Sequence, residues 1–182
     1  TECVITLNDA LVFRGFKMNE INSKITGTKN ESSELLQLVS FMIGNEEYAV
    51  DILFVQEINR MMQITAVPNS PAYVEGVINL RGRVIPVIDL RCKLGLIKKV
   101  HDKNTRIIVV EVTGKTVGFI VDAVKEVIRI PQNITEAPPE IITGSNSEFI
   151  KAVGKLDDRL LILIDLEKIL FANEALIVSE AA

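Results

Sequence analysis

Residues 76–90, Gly76-Val-Ile-Asn-Leu-Arg-Gly-Arg-Val-Ile-Pro-Val-Ile-Asp-Leu90, return 76 positions later as Ala152-Val-Gly-Lys-Leu-Asp-Asp-Arg-Leu-Leu-Ile-Leu-Ile-Asp-Leu166. Six of the 15 aligned positions are identical: Val77/Val153, Leu80/Leu156, Arg83/Arg159, Ile88/Ile164, Asp89/Asp165 and Leu90/Leu166. The echo continues upstream. Val50-Asp51 is matched by Val121-Asp122, Val55-Gln-Glu-Ile58 by Val124-Lys-Glu-Val127, and Ile64-Thr-Ala-Val-Pro68 by Ile134-Thr-Glu-Ala-Pro138. An insertion of six residues within Pro139 to Phe149 then lengthens the spacing from 70 to 76. Repeats this long describe one structural unit used twice, and two copies are too few for a solenoid, so the chain must fold as a pseudo-symmetric pair of small packed units.

The places where the copies differ are where function should be sought. The first has Asn79-Leu80-Arg81-Gly82 and a mid-strand Pro86; the second has Lys155-Leu156-Asp157-Asp158 and Ile162, a plain turn leading into a plain apolar strand. Arg81 becomes Asp157 while its neighbour Leu80 is kept, the pattern expected of a functional position after duplication. Both copies end on an Asp, Asp89 or Asp165, followed by a short stretch of helical spacing. Capping of a helix explains an Asp required at both places better than catalysis does.

Short β-strands are the predicted building material. The chain is 48% hydrophobic, rich in Ile and Val and without Trp, which favours sheets with branched aliphatic cores. Strands are predicted over 35–43, 47–50, 56–60, 74–80, 84–88, 105–112, 116–121 and 125–130, with turns at Gly44-Asn45, Arg81-Gly82 and Thr113-Gly114-Lys115. This rhythm predicts small barrels, an all-β fold with short helices after Asp89 and over 166–171. The two units are placed at about 35–100 and 104–172. Residues 1–34, polar from Asn19 to Glu34, read as a dispensable flexible tail, with Met18 a candidate initiator and 1–17 candidate non-native sequence. Residues 173–182 read as a second tail.

Several kinds of function are disfavoured. A net charge of −4 with scattered Lys and Arg gives no basic footprint for nucleic acid. The longest apolar runs are strand-length, well below the roughly 20 residues of a membrane-spanning helix. Cys3 and Cys92 suggest no disulfide framework, which fits a cytoplasmic location. The single His101 lies in a polar linker with no Ser or Cys beside it, no Cys/His cluster has metal-ligand spacing, and Gly114-Lys115-Thr116 lacks the upstream Gly of a phosphate loop. No catalytic, cofactor or metal residue is expected, and an interaction protein is favoured over an enzyme.

Tyr48-Ala-Val-Asp51, Val55-Gln-Glu-Ile58, Ile64 to Pro68 and the run from Gly76 to Leu90 together resemble the coupling proteins of bacterial chemotaxis, the CheW family, from about Leu35 to about Phe171. The resemblance implies two packed five-stranded SH3-like barrels. It also implies an adaptor that joins the cytoplasmic tip of chemoreceptors to the regulatory domain of the histidine kinase CheA, at the inner face of the membrane. A receptor groove between the barrels is implied, lined by Val55, Glu57, Arg81 and Ile107. Gly76 and Arg106 are carried over as partner-binding positions of open assignment; Arg106 departs from the apolar residue common in relatives. A coupling domain cut from a larger kinase or receiver-fused protein is the nearer alternative, and a barrel-scaffold enzyme or small-ligand binder the more distant one.

Overall fold

The computed structural model describes residues 35–138, 149–156 and 159–171. The two predicted tails and most of the insertion lie outside the described residues. The chain runs β1 (Leu35–Ile43), β2 (Glu46–Asp51), a 3-10 turn (Ile52–Phe54), β3 (Val55–Arg60), β4 (Val74–Leu80), β5 (Arg83–Asp89) and α1 (Leu90–Lys93). It continues through β6 (Arg106–Val112), β7 (Lys115–Val121), β8 (Ala123–Pro131), a 3-10 turn (Gln132–Ile134), β9 (Thr135–Glu136), β10 (Ile150–Leu156), β11 (Arg159–Ile164) and α2 (Leu166–Phe171).

The strands form two sheets, ordered β3-β6-β7-β5-β4 and β8-β1-β2-β11-β10-β9. The first, barrel I, is a contiguous stretch from Val55 to Val121, and the second, barrel II, is built from the strands on either side of it. The predicted division near residue 100 is therefore not the division between barrels. Each repeat keeps its last strands together but gives its opening hairpin to the other copy: β1-β2 joins β8 to β11, and β6-β7 joins β3 to β5. The physical cause lies at the crossovers. The 3-10 turn after β2 carries β3 into the neighbouring sheet, where it pairs with β6, and Asp122 after β7 hands β8 back to pair with β1.

The two Val-Asp echoes mark these crossovers. Asp51 accepts the Leu53 amide at 2.9 Å and caps the 3-10 turn. Asp122 accepts the Gly44 amide at 2.7 Å and the Arg91 guanidinium, tying the β1-β2 turn to α1.

The exchange puts the opening hairpins between two cores, which explains their near-continuous apolar sequence. From β6, Ile107 and Val109 face the core of barrel I with Ile78, Ile85, Val87 and Ile120, whereas Ile108, Val110 and Val112 face a larger core between the barrels. From β1, Leu38 faces the core of barrel II, and Val39, Phe41 and Ile43 face the shared one. Burying each such side chain stabilises the fold by roughly 1.5–3 kcal/mol.

Barrel I closes through the chain between β3 and β4. Thr65 exchanges two backbone hydrogen bonds with Val77, at 2.8 and 2.9 Å. Asp89 accepts the amides of Arg91 and Cys92 at 2.9 and 3.3 Å, and Asp165 accepts that of Lys168 at 3.1 Å, so both repeat-ending aspartates cap helices as predicted. Asp89→Ala is expected to lower stability by about 1–2 kcal/mol in a urea titration, the usual cost of a lost N-cap.

Candidate functional site

The β4-β5 hairpin turns on Arg81-Gly82, with φ of 52° and 82°. A two-residue turn that follows the twist of its strands needs left-handed backbone at both central positions, which suits Asn and Gly and strains Arg. Asn79 supports the turn by accepting the Gly82 amide on Oδ1 at 2.9 Å. A non-glycine residue held in this conformation carries backbone strain, which Arg81 shares with Asn69 and Thr113. The Arg81 guanidinium reaches back to β3, where Nη2 lies 3.1 Å from Glu57 Oε2, with side-chain exposures of 65% and 12% respectively.

Beside this pair is a hollow of about 210 Å³ floored by Leu80, Ile85 and Val109, with Gln56, Arg83 and Thr116 completing its wall. Arg83 donates from Nη2 to Thr116 Oγ1 at 3.1 Å. An apolar floor rimmed by two cations and a carboxylate suits a side chain that is apolar along its length and charged at its tip. It presents no nucleophile and base in contact. Of the expected residues, the structure thus brings Glu57 and Arg81 together, on the face of one barrel rather than in a groove between two.

The other four serve the fold. Val55 is 5% exposed within the core between the barrels, and Ile107 is fully buried in the core of barrel I, so neither has surface to offer a partner. On this burial both side chains pack within the chain's own cores. Gly76 has φ of 146°, and a Cβ there would lie 2.2 Å from the Thr65 carbonyl oxygen. This close approach is made by the chain's own closing segment. Arg106 donates to the carbonyls of Lys103 and Thr105, each at 2.8 Å, and secures the linker before β6, at the other end of that strand from the hollow.

Arg83 and Thr116 were not singled out from the sequence. Arg83 recurs as Arg159, but identity between copies reads as scaffold, and nothing in one strand shows that β7 brings Thr116 beside it.

A larger hollow of about 420 Å³ in barrel II is lined by Leu36, Leu38, Phe54 and Leu163 with Asp51, Asp165 and Glu167. Asp51 and Asp165 are capping residues already described, so two of its three acidic groups are committed to backbone amides. Burial and the neighbouring Asp89 push the Cys92 thiol up, which keeps it protonated and a poor nucleophile at neutral pH. Among the described residues no group of three His, Cys, Asp or Glu is placed to hold a metal ion, and no helix is long and apolar enough to cross a membrane.

Two hairpin-exchanged barrels with a charged rim on one face define an all-β double-barrel protein. Comparison with known proteins then gives the lineage: residues 37–174 match the CheW-like domain, and the chain belongs to that family. It is 38% identical over 146 residues to the chemotaxis protein CheW of Klebsiella aerogenes, covering 80% of this chain and 88% of that one. It is 42% identical over 145 residues to the CheW of Helicobacter pylori, covering 79% and 87%. Among solved structures, scaffolding protein TtCheW of Thermoanaerobacter tengcongensis superposes with a TM-score of 0.72 at 41% identity, covering 77% of this chain and 95% of that one.

Proposed function

We propose that this chain is a chemotaxis coupling scaffold. It binds the helical cytoplasmic tip of chemoreceptors through the Arg81–Glu57 face of barrel I and joins them to the regulatory domain of the histidine kinase CheA. It works in the cytoplasm, held at the inner face of the membrane by the receptors. The observation that carries the reading is the strained Arg81 turn, where the two repeats diverge, set over a mostly covered carboxylate and an apolar floor. A receptor helix would lay apolar side chains along that floor while charges at the rim fix its register. Membership of the CheW-like domain family and likeness to a named scaffold support the same role. No step of the function asks for bond making, so its output is positional. Single contacts of this size are modest, and arrays make them effective through multivalency.

Co-sedimentation tests this directly. The chain is expected to pellet with receptor-containing membranes and to carry the kinase's regulatory domain with it; failure to pellet would remove the receptor role.

Arg81→Ala is expected to lower folding stability by about 1 kcal/mol, since it removes an ion pair whose arginine is exposed but whose carboxylate is mostly covered, and leaves the turn's strain as it was. The same variant should weaken receptor-tip binding at least about fivefold. Arg81→Asp should weaken it further by setting a like charge against whatever acid Arg81 meets. Titration calorimetry on the three proteins, with thermal melts alongside, reads both effects.

A further inference from the structure

The duplication supplies an internal template for the charged face. In both hairpin pairs the residue two places after the turn is Glu47 in β2 and Thr116 in β7, as the registers Met42↔Glu47 and Glu111↔Thr116 show. Registers Leu80↔Arg83 and Leu156↔Arg159 make Arg83 and Arg159 equivalent. Registers Ile58↔Ile108 and Val127↔Val39 do the same for Glu57 and Glu126.

In barrel II, Arg159 is held by two carboxylates, Glu126 at 2.7 Å and Glu47 at 3.3 Å. In barrel I the corresponding Arg83 has neither. Its equivalent of Glu126, Glu57, is taken by Arg81, and its equivalent of Glu47 is Thr116, whose hydroxyl it meets at 3.1 Å. Among the paired groups, one arginine with two carboxylates in barrel II has become two arginines with one carboxylate in barrel I, while Glu111, opposite Thr116, stands where barrel II has Met42. Barrel I therefore lacks a carboxylate at the place where barrel II supplies its own, and the hollow of about 210 Å³ opens there.

We infer that Arg83 and Thr116 form a carboxylate-accepting site that receives an acidic side chain of the receptor helix, beside an apolar side chain seated on Leu80. This rests on the receptor reading given above and adds a specificity residue to it: receptors with an acid at that position bind, and those with a neutral or basic residue bind more weakly. The chemistry is recognition only. A guanidinium presents planar, paired donors that fit a carboxylate, and a charge-assisted contact exceeds the neutral one Arg83 now makes to a hydroxyl.

Thr116→Glu is the decisive variant, because it restores in barrel I the carboxylate that barrel II carries and so fills the site from within. Binding of a soluble fragment bearing a chemoreceptor's helical tip would be measured by titration calorimetry, with thermal melts to confirm folding. Thr116→Glu and Arg83→Gln are each expected to weaken binding about tenfold, the scale of a charge-assisted hydrogen bond, and the double variant to be little worse than either. Thr116→Gln, of the same bulk without charge, isolates the steric part of that loss and should weaken binding clearly less than Thr116→Glu. Arg83→Gln should also flatten the salt dependence. Equal affinities for Thr116→Glu and Thr116→Gln, or an Arg83→Gln that binds like wild type, would overturn the site. If Arg81→Asp abolishes binding in the same series, the receptor face itself stands; if wild type fails to bind the fragment at all, both readings fall.

Discussion

Gly76→Ala is expected to destabilise the fold by about 3–5 kcal/mol, a large share of the stability of a domain whose total lies on the order of 5–15 kcal/mol. At φ of 146° any side chain is strained, and the new Cβ would sit 2.2 Å from the Thr65 carbonyl oxygen, a backbone atom that cannot swing aside. Relief requires moving the segment that closes barrel I, with loss of the two Thr65–Val77 hydrogen bonds. Backbone strain of about 1–3 kcal/mol and roughly 1 kcal/mol per lost bond give the figure. Urea unfolding followed by circular dichroism measures it; a loss below about 1 kcal/mol would show that the closure yields without cost.

Val55→Asp is expected to leave little folded protein. The side chain is 5% exposed among Val39, Phe41, Ile88, Ile108 and Val110 in the core the two barrels share. Replacing it removes roughly 2 kcal/mol of apolar burial and forces a carboxylate where no cation awaits it, so the sum passes about 4 kcal/mol. Val55→Ala, losing only apolar contact, should cost about 2 kcal/mol and bind receptor like wild type while folded. A Val55→Asp protein that melts like wild type yet fails to bind receptor would restore Val55 to a groove lining.

The sequence reading reached the strands, turns and caps closely, because hairpin turns and N-caps are local chemistry. Gly44-Asn45, Arg81-Gly82 and Thr113-Gly114 all turn where expected, and the predicted 35–43 and 74–80 are strands with those bounds. The exchange of hairpins escaped it for a physical reason: β1 and β6 carry the same apolar pattern, and periodicity does not say which copy a strand pairs with. The same exchange decides the site. It buries both faces of β6 and the start of β3, which turns Ile107 and Val55 from candidate lining into core. Arg81 was legible because divergence between the copies picks out a surface that one barrel has and the other lacks, whereas Glu57, which recurs as Glu126, came only from the family resemblance. Arg83 was invisible by the same rule, since it is unchanged between copies and only its surroundings differ, through Thr116 in place of Glu47.

The most direct measurement exchanges the charges of the central pair. Arg81→Glu, Glu57→Arg and the double variant would be titrated against a receptor-tip fragment at two salt concentrations, with melting temperatures recorded for each. If the face binds receptor through Arg81, Arg81→Glu weakens binding at least about tenfold and the double variant, which re-forms the internal pair with its ends exchanged, recovers stability but not affinity. Wild-type affinity in the folded double variant would contradict a receptor contact through this pair and leave it an internal brace of the turn.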